Sequence, residues 1–462
     1  TRGGRAAGIY LADQFQKLKL QPAGTRGTYF QPFNGNCRNI LGLYRGSETG
    51  AAQRYILVGA HYDHVGYGTR ENSNGPIGYI HNGADDNASG VAGVLEIAKA
   101  VTKLPQPLRH SILFVLWDNE ENGLYGSKHW VRQPTVPLSQ IDLAFNIDMI
   151  GRLRGNRIEV FGIRTSTGLR RLLTMQNRAA DLKMDFDWDM DPDSDDYTLH
   201  KAGIPTLMLF TGKHADYHRP SDDLPLLNLE GIQRVARLYF NVLLAEDERE
   251  MPRKLRAASR QESNYTRHQI EVPLAAAPSR LGVKWSIEKS DQAGLRLSSV
   301  TYNSPAWKAG LRQGDRIVDF NGNEVNPDMD LVSLILATKN PAQIQYLRGE
   351  EKEPRTATVT LNGQPVHVGL SWRGDAAEPD AVMVTRVFPG SPAATGGLRV
   401  LDRVYEVNGE KVTGAHSFGK LLQSDAPLEM VVESGGRIRE VTVKPLVPAA
   451  VKDPSPAESN NP

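Results

Sequence analysis

Short apolar runs alternate with amphipathic stretches over the first 245 or so residues. Residues 55–60, Ser111–Trp117, 144–147 and Thr206–Phe210 are apolar runs bounded by polar or turn residues, the pattern of strands buried on both faces. Between them, residues 90–103, 123–132 and 166–177 read as helices, and 228–244 closes the block. At the front, 4–18 sets Ala7, Tyr10, Leu11, Phe15 and Leu18 on one helical face. This alternation predicts an α/β fold with a mostly parallel central sheet and helices on both faces. In such sheets chemistry gathers beyond the carboxyl ends of the strands.

From 246 to about 277 the pattern dissolves into a charged run and a small Ala/Pro stretch, read as a linker. The remainder, to about Val447, is strand-rich and repeats itself. Ser304-Pro305-Ala306, Gly310-Leu311-Arg312, Asp315-Arg316 and Asn321-Gly322 recur 87 residues later, as do Gly282 and Trp285 at Gly369 and Trp372. Two copies indicate tandem modules rather than a solenoid. The second copy has Leu401 where the first has Gly314, so its turn is expected to differ. The predicted division is 1–250, a linker 251–277, two β-rich domains at 278–363 and 364–448, and a disordered tail 449–462.

Composition narrows the function classes. Charge is balanced at +1, without the basic excess of a nucleic-acid or anionic-membrane binder. The longest apolar run, Ile112 to Trp117, is far below the roughly 18 residues of a membrane span. The single cysteine, Cys37, excludes an internal disulfide and reads as a small packing residue. The chain starts at Thr1 without a charged-then-apolar leader, as expected of a processed or trimmed product.

Five segments place metal-type ligands at strand ends or in the loops that follow. His61 and Asp63 follow one apolar run, Asp85 and Asp86 lie in a Gly/Asn/Ser loop that opens a helix, and Glu120 and Glu121 follow another. Asp148 ends a third, and His218 comes a few residues after the last. Imidazole and carboxylate without thiolate suit zinc or another divalent cation in an open catalytic site. Singly, each residue has an ordinary structural role; together at successive strand ends they indicate a metal centre. His64, His81, His129, His200 and His214 read as surface or packing residues.

These motifs, VGAHYDH (58–64), GADDNASG (83–90), NEENGLYGS (119–127), NIDMIG (146–151), SDDYTLHKAGIP (194–205) and YHRPSDD (217–223), resemble the co-catalytic dizinc exopeptidase family of bacterial secreted leucyl aminopeptidases. Relatives of that family include glutamate carboxypeptidases and glutaminyl cyclases. The resemblance spans about residues 4–245. It implies two zinc ions, one held by His61 and Asp148 and the other by Glu121 and His218, with Asp86 as the bridge and Glu120 as general base. The family places the bridge immediately before the residue at Asn87, commonly through a non-proline cis peptide, which selects Asp86 over Asp85. Asp63 is expected to orient the His61 imidazole, and Tyr217 to donate to the oxyanion. Asp195 and Asp196 stand where the family has Ser-Asp-His; Asp196 departs from that pattern.

The repeated modules are similar to PDZ domains of bacterial periplasmic proteases. That similarity implies capture of an extended peptide, with Leu281-Gly282-Val283 and Val368-Gly369-Leu370 as the loops receiving its terminal carboxylate. The expected protein is therefore an aminopeptidase acting on peptides, its free α-amino group met by Glu120 and Asp148, with peptide or protein C-termini as PDZ partners. It is expected to be secreted or periplasmic, with no nucleic acid partner and no membrane span. A carboxypeptidase, a glutaminyl cyclase and a non-catalytic scaffold are the alternatives.

Overall fold

The first unit is built on a nine-stranded sheet. Its strands are β1 (Gln21–Pro22), β2 (Phe30–Phe33), β3 (Cys37–Tyr44), β4 (Tyr55–His61), β5 (Ser111–Trp117), β6 (Ile141–Ile147), β7 (Arg157–Phe161), β8 (Lys183–Phe186) and β9 (Thr206–Phe210). The computed structural model describes residues 2–286 and 294–447; the tail predicted at 449–462 lies outside the described residues. The order is β1-β3-β5-β4-β6-β9-β7-β8, with β2 paired to β3. The central strands β5, β4, β6 and β9 are parallel, while β3 and β7 join antiparallel at either side.

Every residue of β4, β5 and β6 is buried, as continuous apolar runs require when both faces are covered. Successive side chains alternate between the layers. Ile56 and Val58 pack with Phe15 of α1 (Arg2–Lys17), Val94 of α2 (Gly90–Val101), Leu173 of α4 (Leu169–Gln176) and Val242 of α6 (Leu229–Asp247). Leu57 packs on the other side with Trp117, Trp130 of α3 (Tyr125–Arg132) and Leu199 of α5 (Asp195–Lys201). The strand order reverses at β4, between β5 and β6, so the loops leaving these strands open onto one crevice.

The stretch predicted as a linker folds in part. It contains α7 (Asn264–Ile270), capped by Ser263, and its residues to Glu271 belong to the first unit. Arg253 is buried on Glu246, and Glu262 receives both Arg164 and Arg256. Several of the run's charges, among them Arg253, Arg256 and Glu262, are thus paired inside the unit. That unit also takes in 374–381 and 433–439, where Asp375 accepts from Arg164 at 2.7 Å and Glu433 from Arg170 at 3.0 Å.

The repeat region forms two sheets of like topology. The first runs through β10 (Val283–Ser286), β11 (Leu295–Val300), β12 (Arg316–Phe320), β13 (Asn323–Glu324), β14 (Ala342–Leu347) and β15 (Arg355–Val359). The second repeats it with β16 (Leu370–Asp375), β17 (Glu378–Val387), β18 (Arg403–Val407), β19 (Glu410–Lys411), β20 (Leu428–Ser434) and β21 (Arg437–Val443). The repeated residues do the same local work. Ser304 and Ser391 each cap a short helix, and Asp315 and Asp402 each accept the amide three residues earlier at 2.7 Å. Contrary to expectation the second turn does not differ. Leu401 sits at φ 72°, the left-handed conformation of Gly314 at φ 91°, and each amide donates to the matching carbonyl, Leu297 or Val384.

Candidate metal centre

The exits of β4, β5, β6 and β9 bring five expected ligands into one buried cluster. His61, the last residue of β4, places Nε2 at 3.2 Å from Asp86 Oδ1 and 3.4 Å from Asp148 Oδ1. His218 places its Nε2 at 3.1 Å from Asp86 Oδ2 and 3.0 Å from Glu121 Oε2. The Asp86 carboxylate thus gives one oxygen to each half. Of the adjacent carboxylates only this one faces the cluster. Asp85 accepts from Gly151 N–H at 2.6 Å and Ser89 Oγ at 2.9 Å, and its other oxygen faces His214.

The loop between β4 and α2 is clamped around Asp86. The carboxylate of Asp222 accepts the amides of Asp85 at 2.8 Å and Asp86 at 3.1 Å. Asn87 donates to the Ile147 carbonyl at 3.0 Å and accepts from Gly90 N–H and Met149 N–H, tying the loop to the end of β6. Gly90 permits that approach, since a Cβ there would lie 2.2 Å from Asn87 Oδ1 and 2.3 Å from the Ile147 carbonyl. The Asp86–Asn87 peptide is cis, as the resemblance implied. His218 is held at φ 52° by its own carbonyl, which accepts from Asn74 N–H at 3.0 Å and Ser73 Oγ at 3.3 Å.

The cluster needs positive charge. Asp86 Oδ2, Asp148 Oδ1 and His218 Nε2 are buried and make no hydrogen bond. His61 Nδ1 lies 3.2 Å from the Asp63 carbonyl, an acceptor, so Nδ1 carries a proton, and a neutral ring would turn a lone pair at Nε2 toward two carboxylate oxygens. Convergent lone pairs are stable only with protons or cations between them. Protons alone would load the imidazoles: burial opposes charge on His218, but Asp86 and Glu121 push it up to about 10. Burial likewise opposes charge on Asp86, yet His218 and His61 hold it well below the usual carboxylate range. Two imidazoles and three carboxylates, with no thiolate, fit zinc or another divalent cation.

Asp63 differs from its expected role. Its backbone carbonyl, not its carboxylate, meets the His61 ring; the nearer carboxylate oxygen is 3.7 Å away. The carboxylate instead accepts the amides of Glu120 at 3.0 Å and Glu121 at 3.3 Å, fixing the turn that carries both glutamates. Glu120 is buried, and its carboxyl is pushed well above its usual range by burial, with His61 opposing and Asp195 and Asp148 adding to the rise. Tyr217 stacks on His218 with ring centroids 3.9 Å apart. Burial, then the charges of Asp86 and Glu121, keep its phenol far above the ordinary value, so it stays a donor.

Sequence reasoning missed two supporting groups. Ser194 Oγ donates to Asp148 Oδ2 at 2.7 Å, and Asn146 Nδ2 donates to Ser194 Oγ at 2.7 Å. The serine before Asp195 was visible, but a single Ser before a helix reads as a cap. Asp195 and Asp196 are buried and pushed up to about 7, first by burial and then by neighbouring carboxylates. His64 is neither surface nor filler: its Nδ1 lies 2.7 Å from Glu121 Oε1. The His214 side chain is buried against Asp85, and His200 is buried against Ser259.

In the second unit the two expected carboxylate loops differ. Gly282, at φ 82°, gives its N–H to Ser279 Oγ at 2.9 Å. Val368, Gly369 and Leu370 line a groove of about 500 Å³ with Trp372, Phe388 and Leu422. Leu281 is buried and Val283 half-buried in the core of the first sheet.

Residues 39–243 match peptidase family M28, and residues 279–361 and 383–434 match PDZ domains. The chain is an M28 peptidase domain followed by two PDZ domains. It is similar to aminopeptidase YwaD of Bacillus subtilis, 27% identical over 215 residues covering 44% of each chain. It is also similar to a probable periplasmic serine endoprotease DegP-like of Chlamydia pneumoniae, 26% identical over 204 residues covering 40% of this chain and 41% of that one. Among solved structures, the LapA aminopeptidase of Legionella pneumophila superposes with a TM-score of 0.44 at 19% identity, over 54% of this chain and 66% of that one. The matches span under half the length of both curated relatives. No helix among the described residues is long and apolar enough to cross a membrane.

Proposed function

We propose that the protein is a zinc-dependent aminopeptidase that hydrolyses N-terminal residues from peptides, with its PDZ domains binding peptide or partner segments. One observation carries the reading: Asp86 presents one oxygen to the His61–Asp148 half and the other to the His218–Glu121 half. The M28 match and the aminopeptidase name of YwaD support it. Two zinc ions per chain are the cofactor this donor set suits. When bound, they polarise the scissile carbonyl and make water a strong nucleophile near neutral pH.

The chain's own residues complete the chemistry. Glu120, not needed as a ligand, takes the proton of the attacking water on its raised-pKa carboxylate and returns it to the leaving amine. Tyr217 donates its hydroxyl to the oxyanion, and Glu120 and Asp148 receive the free α-amino group. The Asp63 carboxylate keeps Glu120 and Glu121 diverging from one turn. The groove at Val368-Gly369-Leu370 receives a peptide end in the second PDZ domain. Export to the periplasm or medium agrees with the periplasmic DegP-like relative.

The test is a panel of aminoacyl-nitroanilides, γ-linked glutamyl peptides and N-terminal glutaminyl peptides, with and without chelator. Chelator-sensitive turnover of the nitroanilides, abolished in Glu120→Gln, is expected. Cleavage of the second class alone would indicate a carboxypeptidase, cyclisation of the third a cyclase, and no turnover a scaffold.

A further inference from the structure

The exit of β4 carries a second imidazole that the ligand set leaves unused. His64 Nδ1 lies 2.7 Å from Glu121 Oε1 and 3.7 Å from Asp86 Oδ2. The other Glu121 oxygen is the one that meets His218, at 3.0 Å. The ring has little freedom. A Cβ at Gly83 would strike its Cγ at 2.7 Å, and His218 packs against it edge-on with centroids 5.6 Å apart. Its Nε2 is buried without a hydrogen-bond partner. The side chain is only 10% exposed, so the imidazole is built into the cluster.

The chemistry of the contact fixes the tautomer. At 2.7 Å from a carboxylate oxygen, Nδ1 is a donor, because a lone pair there would oppose that of Glu121. An Nδ1–H donor occupies Oε1 and leaves Oε2 to point at His218. A glutamate has three rotatable bonds and two equivalent oxygens, so without such a partner either oxygen, or both, can face the centre. We propose that His64 is a positioning residue for the second cation: it fixes Glu121 as a one-oxygen ligand and pre-organises that half. The inference rests on the two-cation reading above.

The test is a titration of the chelator-stripped full-length chain with zinc, followed by calorimetry, in wild type, His64→Ala and His64→Asn. The Asn amide nitrogen sits three bonds from Cα, as Nδ1 does, and restores the donor. In His64→Ala the second zinc is expected to bind about 10–100-fold more weakly, the range seen when partners of metal ligands are removed. The first zinc keeps its affinity, and His64→Asn stays within about threefold of wild type by the same comparison. In crystals of the zinc-loaded wild type, His64 Nδ1 is expected to stay on Glu121 Oε1, outside the roughly 2.0–2.1 Å of a zinc–nitrogen bond. Equal second-site affinity in His64→Ala, or no recovery in His64→Asn, overturns the inference. A second-site zinc ion bonded to a His64 ring nitrogen would make His64 a ligand instead and also overturn it. A wild type that takes up fewer than two zinc ions would defeat the two-cation reading itself, a result distinct from these.

Discussion

The carboxylate of Asp63 accepts the backbone N–H of Glu120 at 3.0 Å. Asp63 therefore acts on the turn that aims the glutamates, while its main-chain carbonyl, which no substitution removes, orients His61. Asp63→Ala is expected to lower kcat by roughly 10–100-fold, the scale of lost outer partners at metal sites, with zinc affinity at the His61 half unchanged. Steady-state kinetics beside zinc titration checks this. Loss of the His61-side zinc would return the carboxylate to the role of imidazole partner.

Gly90 stands where a side chain would collide with Asn87 Oδ1 and the Ile147 carbonyl. Neither atom can yield without moving the loop that presents Asp86. Gly90→Ala is expected to cost roughly 1–3 kcal/mol, as overpacked sites do, together with weakened binding of both zinc ions. Denaturant melts of the apo and loaded protein measure the two effects separately. An unchanged apo midpoint would remove the steric argument.

Tyr217→Phe removes the hydroxyl and keeps the ring stacked on His218. A fall in kcat of roughly 10²–10³ is expected, the cost of one oxyanion donor, with KM little changed. Because burial and nearby carboxylates hold the phenol far above its ordinary value, no tyrosine ionisation should appear in the wild-type rate profile up to about pH 10, its unperturbed pKa. A wild-type kinetic parameter indifferent to the substitution would assign Tyr217 to packing.

Far from the centre, His110 is buried between Asp247, 2.9 Å from Nδ1, and Asp142, 3.2 Å from Nε2, with Arg54 also bonded to Asp142. Burial opposes its charge and Arg54 does too, but the two carboxylates win and its pKa rises to about 9. A folded pKa above the unfolded value of about 6.5 stabilises the fold fully below pH 6.5 and loses that stabilisation as pH climbs through 9. The contribution is on the order of 3 kcal/mol. Melts from pH 6 to 10 should show this decline in wild type and a flatter curve in His110→Asn; parallel curves would refute the assignment.

Much of this was written in the sequence. Strands buried on both faces betray themselves as unbroken apolar runs, and the rule that sites lie beyond their carboxyl ends offered His61, Asp63, Asp85, Asp86, Glu120, Glu121, Asp148 and His218; the choice of Asp86 over Asp85 came from the family resemblance. What the sequence hid is which atom of a residue does the work. Asp63 has a carbonyl and a carboxylate, and only the path of the chain decides which meets His61. His64 lies one residue beyond Asp63, where the turn after β4 sets its direction, and no periodicity reports that turn. The charged stretch after Glu246 reads as a linker because sequence shows charges but not partners; Arg253 with Glu246, and Glu262 with Arg164, supply them. Leu401 shows the reverse limit, a turn retained despite a residue that disfavours it.

The most direct test of the account is anomalous diffraction at the zinc edge from crystals of the zinc-loaded full-length chain. Two peaks about 3.5–4 Å apart are expected, one beside His61 and Asp148, the other beside Glu121 and His218, with Asp86 between them. A single peak, or zinc bound away from these side chains, would contradict it.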